Sequence, residues 1–154
     1  MSSTITKKTL TITINESVEL GSNEFASRTQ LKLQNINEIS QRVVTVPTHQ
    51  VPILQLSSSA AAGTYMSASV KYARITNLDN ANYVRLTFTS GSNQFGGGNQ
   101  YDVKLDALKT FIFTNDGYSG SATLGTFDSF ASFTSLKAIA NSSAVDLELY
   151  VAST

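Results

Sequence analysis

Apolar and polar residues alternate along this chain with a period of two. In the stretch "TLTITI", Leu10, Ile12 and Ile14 alternate with threonines, and in "AVDLELYV" the apolar positions run from Val145 to Val151. Successive side chains of a β-strand point to opposite faces, so each stretch predicts a strand with one buried and one solvated face. The helical period of 3.6 residues is nearly absent.

Further short stretches carry the same alternation or a run of β-forming residues. They lie at residues 29–36, 42–46, 53–56, 69–75, 83–88, 101–105, 110–114 and 135–140. Short strands at such intervals are typical of all-β proteins. We therefore predict a single antiparallel β-sandwich, jelly-roll-like, of about 8–10 short strands joined by long loops. A short helix at residues 35–40 or 127–132 is an alternative for those two segments.

The length of 154 residues fits one domain with its own core. We predict an extended N-terminal arm at residues 1–8 and one β-sandwich domain at residues 9–154. The chain has no cysteine, so neither a disulfide framework nor a thiolate metal site is available to it. The opening "MSSTITKK" lacks the apolar core of a secretory signal, and no run of about 18 apolar residues occurs. We expect synthesis in a cytoplasm and no membrane partner.

Charge is sparse and balanced. Eleven basic residues match eleven acidic ones, and charged residues make up 14% of the chain, against roughly 25% in an ordinary domain. This balance predicts no attraction to nucleic acid or to an anionic membrane. Ser, Thr, Asn and Gln together account for 57 of the 154 residues. A neutral polar β surface favours packing against copies of the same chain.

The residues that carry chemistry form no recognisable active-site pattern. His49 is the single histidine, and without cysteine it has too few companions for a standard zinc site. A Ser-His-Asp triad would have no nucleophile-elbow motif to support it. We interpret His49 as a polar loop residue between two prolines.

The glycine-rich stretch at 91–98 lacks the lysine and hydroxyl of a phosphate-binding loop, and "NDG" at 115–117 fits a tight turn better than a calcium loop. Two carboxylate pairs, Asp102 with Asp106 and Asp146 with Glu148, would suit glycoside hydrolysis only if they converged in a cleft. Because they alternate with apolar residues, we interpret them as solvated strand faces. We expect no catalytic residue, no cofactor and no metal.

A polar cluster at residues 77–82 interrupts the paired strands of "KYARITNLDNANYVRLTF". Its side chains, Asn77, Asp79, Asn80 and Asn82, would serve either as a binding loop or as turn residues. Asn and Asp bond to their own backbone and tolerate left-handed conformations, so we favour turn chemistry.

Four stretches together resemble a family of small structural proteins of tailed bacteriophages. They are "QRVVTVPT" at 41–48, "AGTYMSASVKYARITNLDNANYVRLTF" at 62–88, "YDVKLDALKTFIFTN" at 101–115 and "SLKAIANSSAVDLELYVAST" at 135–154. The resemblance covers roughly residues 39–154. Its motifs are strand and turn patterns, so it indicates a shared sandwich more strongly than a shared role.

The resemblance implies a non-enzymatic virion component, assembled in the cytoplasm of a host bacterium. The leading expectation is a capsid decoration or auxiliary protein on the head shell, with a neck or tail element as the alternative place. Its partners would be the major capsid protein or neighbouring copies, in a homo-oligomer within a larger assembly. A carbohydrate-binding or receptor-binding β-sandwich is the second hypothesis, and a glycan-cleaving enzyme is the third.

Candidate interface residues come from the N-terminal arm, the glycine-rich loop and an aromatic insertion at residues 114–133. Flexible tips and exposed aromatic residues are where subunit contacts tend to form. Lysines of the arm are suited to meeting acidic residues of a neighbour. The candidates are Thr4, Ile5, Lys7, Lys8, Phe95, Gly97, Tyr118 and Phe127.

Overall fold

A computed structural model describes residues 6–57, 59, 62–66, 69–92, 98–114 and 133–154. The protein is all-β, and the described residues form eleven strands in three sheets. The strands are β1 (Lys8–Leu20), β2 (Asn23–Ile36), β3 (Glu38–Val46), β4 (Val51–Ser57), β5 (Tyr65–Met66), β6 (Val70–Asn77), β7 (Val84–Ser92), β8 (Gly98–Leu105), β9 (Thr110–Thr114), β10 (Phe133–Ala140) and β11 (Val145–Ser153).

Two of the sheets form the β-sandwich that the alternation predicts. One has four strands in the order β3-β11-β6-β9, and the other has five in the order β5-β4-β10-β7-β8. The pairings within both sheets are antiparallel, except that the two-residue β5 runs parallel to β4. One continuous apolar core contains residues from both sheets.

Strand β11 lies inside the four-stranded sheet and supplies much of this core. Val145, Leu147, Leu149 and Val151 are buried, which confirms the alternation predicted for "AVDLELYV". Across the core, β7 contributes buried Val84, Leu86 and Phe88, also as its alternation predicts.

Proline and arginine shape the corner between β3 and β4. Strand β3 ends at Val46, directly before Pro47, and the register between β4 and β10 shifts beside Pro52. Proline has no N–H to donate, so a regular ladder does not continue through it. The Arg42 guanidinium donates to the Ile53 carbonyl at 2.7 Å and so joins the two sheets at this corner.

The third sheet is a hairpin of β1 and β2, paired in continuous register from Leu10 opposite Leu33 to Leu20 opposite Asn23. Its two-residue turn begins with Gly21, whose φ of 66° is a conformation that glycine adopts at little cost. At about 3.4 Å per residue, strands of 13 and 14 residues make a ribbon roughly 40 Å long. The alternation predicted only the parts of the two hairpin strands nearest the sandwich, at residues 9–14 and 29–36.

The helix considered for residues 35–40 is wrong. Strand β2 ends at Ile36 and β3 begins at Glu38. Asn35, near the end of β2, has a left-handed φ of 65° at the register shift between Lys8 and Leu10. Asparagine tolerates this conformation better than most residues. The alternative helix at 127–132 lies outside the described residues. Within the described ranges, no helix is long and apolar enough to cross a membrane.

Truncating Leu147 to alanine is expected to lower the free energy of unfolding by about 2–5 kcal/mol, because its fully buried side chain leaves a cavity between the sheets. The matched control is Leu108→Ala in the turn between β8 and β9, where the side chain is exposed and the change should stay within about 0.5 kcal/mol. Urea unfolding followed by circular dichroism measures both. Equal losses for the two variants would contradict the assignment of the core.

Candidate functional site

The hairpin has one apolar face and one polar face. Antiparallel register places the apolar side chains of both strands on the same side. We call this side the apolar face; its residues are Leu10, Ile12, Ile14, Val18, Leu20, Phe25, Leu31 and Leu33, with Glu16, Asn23, Ser27 and Thr29 among them. The opposite face carries mainly threonines, polar residues and charges.

The half of the apolar face nearest the sandwich packs against the four-stranded sheet. It covers the outer face of that sheet, which we define as the side turned away from the core. The packed residues are Leu10, Ile12, Leu33 and Ile36 of the hairpin and Tyr72, Tyr150 and Ala152 of the sheet. Tyr72 and Tyr150 meet edge to face with their ring centroids 6.0 Å apart, and burial raises the pKa of the Tyr72 phenol.

The far half of the apolar face is exposed. Ile14, Val18, Leu20 and Phe25 keep 43%, 49%, 61% and 57% of their surface accessible. Val18 and Phe25 lie directly opposite each other in the ladder. Contiguous exposed apolar side chains mark interaction sites on folded proteins, and a two-stranded hairpin has little stability of its own. This half of the hairpin is therefore the candidate functional site.

The outer face of the four-stranded sheet continues beyond the hairpin. Ile39 and Val43 of edge strand β3 are exposed there by 55% and 59%. Between them, the Gln41 amide donates to one Glu148 oxygen at 2.6 Å, while the Arg74 guanidinium donates to the other, also at 2.6 Å. The free part of this face is thus a mixture of exposed aliphatic side chains and hydrogen-bonded polar ones.

The Asn77 side chain holds the polar turn together from inside. It is fully buried, and its amide donates to the carbonyls of Asn82 at 2.9 Å and Leu105 at 3.2 Å. Its oxygen accepts the backbone N–H of Asp79 at 3.0 Å. A buried amide with these bonds closes the turn and joins it to the end of β8.

Asp79 and Asn82 are also engaged within the protein. One Asp79 carboxylate oxygen accepts the N–H groups of Ala81 and Asn82 at 2.7 and 2.6 Å, and these bonds lower the pKa of the carboxyl. The Asn82 side chain donates to Ser143 and accepts from Ser142. The interpretation as turn chemistry is confirmed for Asn77 and Asp79, whose side chains bond to backbone groups of the turn.

The acidic residues considered for catalysis each have a nearby partner. Asp102 accepts from Thr87 at 2.7 Å, Asp106 forms an ion pair with Lys104 at 2.7 Å, and Asp146 accepts from Thr45 at 2.6 Å.

The other candidate for chemistry, His49, is an exposed residue of the turn between β3 and β4. Over the part of the chain that the structure describes, no three His, Cys, Asp or Glu residues gather as metal ligands.

Two of the predicted interface residues fall within the described chain. Lys7 and Lys8 are exposed, and Lys8 begins β1, where it pairs with Ile36. The remaining candidates, Thr4, Ile5, Phe95, Gly97, Tyr118 and Phe127, lie outside the described residues. The contact that the arm was expected to make with a neighbour stays a prediction.

The far half of the hairpin was not predicted from the sequence, because Glu16 interrupts the apolar alternation after Ile14. A usable signal was present in the pair Gly21 and Ser22, which suits a two-residue hairpin turn between alternating segments.

No family model, curated protein or solved structure matches the chain. The resemblance to phage structural proteins therefore stays an expectation drawn from the sequence.

Replacing Leu10 and Ile12 together by alanine is expected to loosen the hairpin, because both half-buried side chains hold it to the outer face. Losing about 1–2 kcal/mol of apolar contact should speed amide hydrogen exchange in β1 and β2 about tenfold, with β6 and β11 unaffected. The control replaces Thr11 and Thr13, which are exposed on the polar face. Unchanged exchange in the Leu10 and Ile12 variant would contradict this attachment.

The Asp79 carboxyl should contribute an acid-sensitive part of the stability. Its folded-state pKa lies below the ordinary value of 3.8, so its contribution is present above pH 3.8 and is lost as the pH falls through the folded-state pKa. Asp79→Asn is expected to reduce the loss of stability between pH 5 and 3, measured as the shift in urea midpoint. Asn80→Ala, an exposed neighbour, should keep the wild-type acid dependence; an identical pH profile for all three proteins would refute the assignment.

Proposed function

We propose that the chain is a non-enzymatic structural component of a tailed-bacteriophage virion, and most directly a capsid decoration or auxiliary protein that binds the head shell. A position in the neck or tail is the alternative within the same class. The observation that carries the proposal is the projecting hairpin, whose far half presents apolar side chains to solvent. A subunit of an assembly has a neighbour to cover such a face.

The connectivity of the sandwich supports this role. Leaving out the short β5, the two sheets have the strand orders β3-β11-β6-β9 and β4-β10-β7-β8. We interpret these orders as jelly-roll connectivity through two Greek keys, in which successive strands alternate between the sheets except for the neighbouring pair β7 and β8. Jelly rolls are common in viral capsid proteins, and they also occur in lectins. The fold therefore does not support the virion proposal by itself, but it does so in combination with the hairpin.

Carbohydrate or receptor binding has less support in the described residues. The turn at 77–82 offers the best set of converging Asn and Asp side chains for a sugar, yet its oxygens and amides are used to close the turn and bind Ser142 and Ser143. A side chain engaged in this way would have to give up internal bonds to take a ligand. The assembly role requires no such exchange.

The proposal predicts that the chain is a stoichiometric part of purified particles. Gradient-purified virions of the phage that encodes it, washed in high salt and analysed by quantitative mass spectrometry, should contain the chain in many copies per particle. A host cytoplasmic protein of similar mass, followed through the same gradient, serves as the control and should stay in the soluble fractions. Recovery of the chain only as free protein that binds glycans on an array would overturn the proposal.

A further inference from the structure

We propose that the far half of the hairpin docks on a second copy of this chain, across the outer face of its four-stranded sheet beside Ile39 and Val43. The inference rests on the proposed assembly role and names the partner of the apolar face. The donor surface is formed by Ile14, Val18 and Phe25. The acceptor surface is formed by Ile39 and Val43 of the other copy, with Gln41 between them.

A contact between the apolar face of the hairpin and the outer face of the four-stranded sheet already exists within the chain. The near half of the same apolar face packs on the outer face of the same sheet, over Tyr72, Tyr150 and Ala152. Ile39 pairs with Ala152 in the ladder, so the acceptor row begins beside this contact and leads away from it. The hairpin keeps an unbroken register from Leu10 to Leu20, so its far half remains extended. A second copy can therefore supply the far half of the hairpin that covers the acceptor row.

The donor surface and the acceptor surface match in spacing and in polarity. On the hairpin, Val18 lies four positions after Ile14, with Glu16 midway. On β3, Val43 lies four positions after Ile39, with Gln41 midway. Each pair spans roughly 13–14 Å along its strand. Aligned in either direction, the two rows place aliphatic side chains together and bring the Glu16 carboxylate to the Gln41 amide. That amide gives one N–H to Glu148 and has a second to donate.

The charge on the apolar face argues against the simplest alternative, in which two hairpins pack face to face. Over the ladder from Leu10 to Leu20, Glu16 is the single charged residue of this face, with Ser27 directly opposite it. Face-to-face packing would bring two carboxylates into a dry interface without a cation from this ladder, which is costly. Docking on the sheet instead gives Glu16 an amide donor, and the neighbouring Glu148 carboxylate is already paired with Arg74. Since donor and acceptor surfaces differ, the contact is either reciprocal in a closed two-fold dimer or head to tail in a ring or an extended array.

Complementation between variants tests the inference on the purified full chain. Val18→Asp with Phe25→Asp disables the donor, and Val43→Asp disables the acceptor. Sedimentation velocity and light scattering should show self-association of the wild type and at least a tenfold increase in dissociation constant for each variant alone. Mixed in equal amounts, the two variants should form a dimer that does not extend, because each retains the surface that the other lacks.

The matched control is Ser17→Asp with Ala26→Asp, the neighbouring exposed pair on the polar face of the hairpin. It adds the same two charges one row farther from the turn and should associate as the wild type does. Circular dichroism and hydrogen exchange in β1 and β2 check that each variant keeps its fold.

A crosslinking experiment avoids added charge. Because the chain has no cysteine, Val18→Cys copies mixed with Val43→Cys or with Ile39→Cys copies should form a crosslinked dimer on oxidation in one of the two mixtures, according to the direction of docking. Ser17→Cys copies should crosslink with neither.

The inference is overturned if the wild type is monomeric at every concentration, if the Val43→Asp variant associates like the wild type, or if the two variants fail to complement. A wild-type monomer that is nevertheless recovered from purified virions would leave the proposed function standing and refute docking on a second copy. If the chain self-associates but is absent from virions, docking on a second copy stands and the proposed function is refuted.

Discussion

Burial of strand β11 on both faces is the constraint on which the rest of the structure depends. Its inward side chains, from Val145 to Val151, fill the space between the two sheets. Its outward side chains Tyr150 and Ala152 lie under the hairpin. Strand β11 also pairs with β3 on one side and β6 on the other. This one strand therefore sets the register of the sheet and provides part of the surface on which the hairpin packs.

The cover on the outer face is partial, and this gives the protein its asymmetry. At one end of β11, Ala152 is fully buried, and the Asn37 N–H donates to the Ser153 carbonyl at 3.0 Å where the hairpin joins β3. Toward the other end, Glu148 is held by Arg74 and Gln41 at the solvated surface. The hairpin is thus anchored at its base and free along its far half, where it has no partner sheet in the described chain.

Much of the sandwich was predictable, because strands such as β7 and β11 alternate between apolar and polar residues. Leu147 and Leu86 are assigned to the core from their spacing alone, and Asn77 and Asp79 are recognised as turn residues from their ability to bond local backbone. Tyr72 and Ala73 are harder to assign. They point to opposite faces of β6, yet both are buried, because one faces the core and the other is covered by the hairpin.

The candidate site was predicted poorly for a related reason. The far half of the hairpin contains Glu16 within its apolar face, so local alternation ends early there. The long pairing from Leu20 back to Leu10 is a property of two strands and not of one. The sequence by itself determined which residues form strands, which side chains share a face and which turns are polar, since these follow from local backbone geometry. Only the tertiary structure decided which faces are covered and which stay open, since burial depends on segments far apart in the chain.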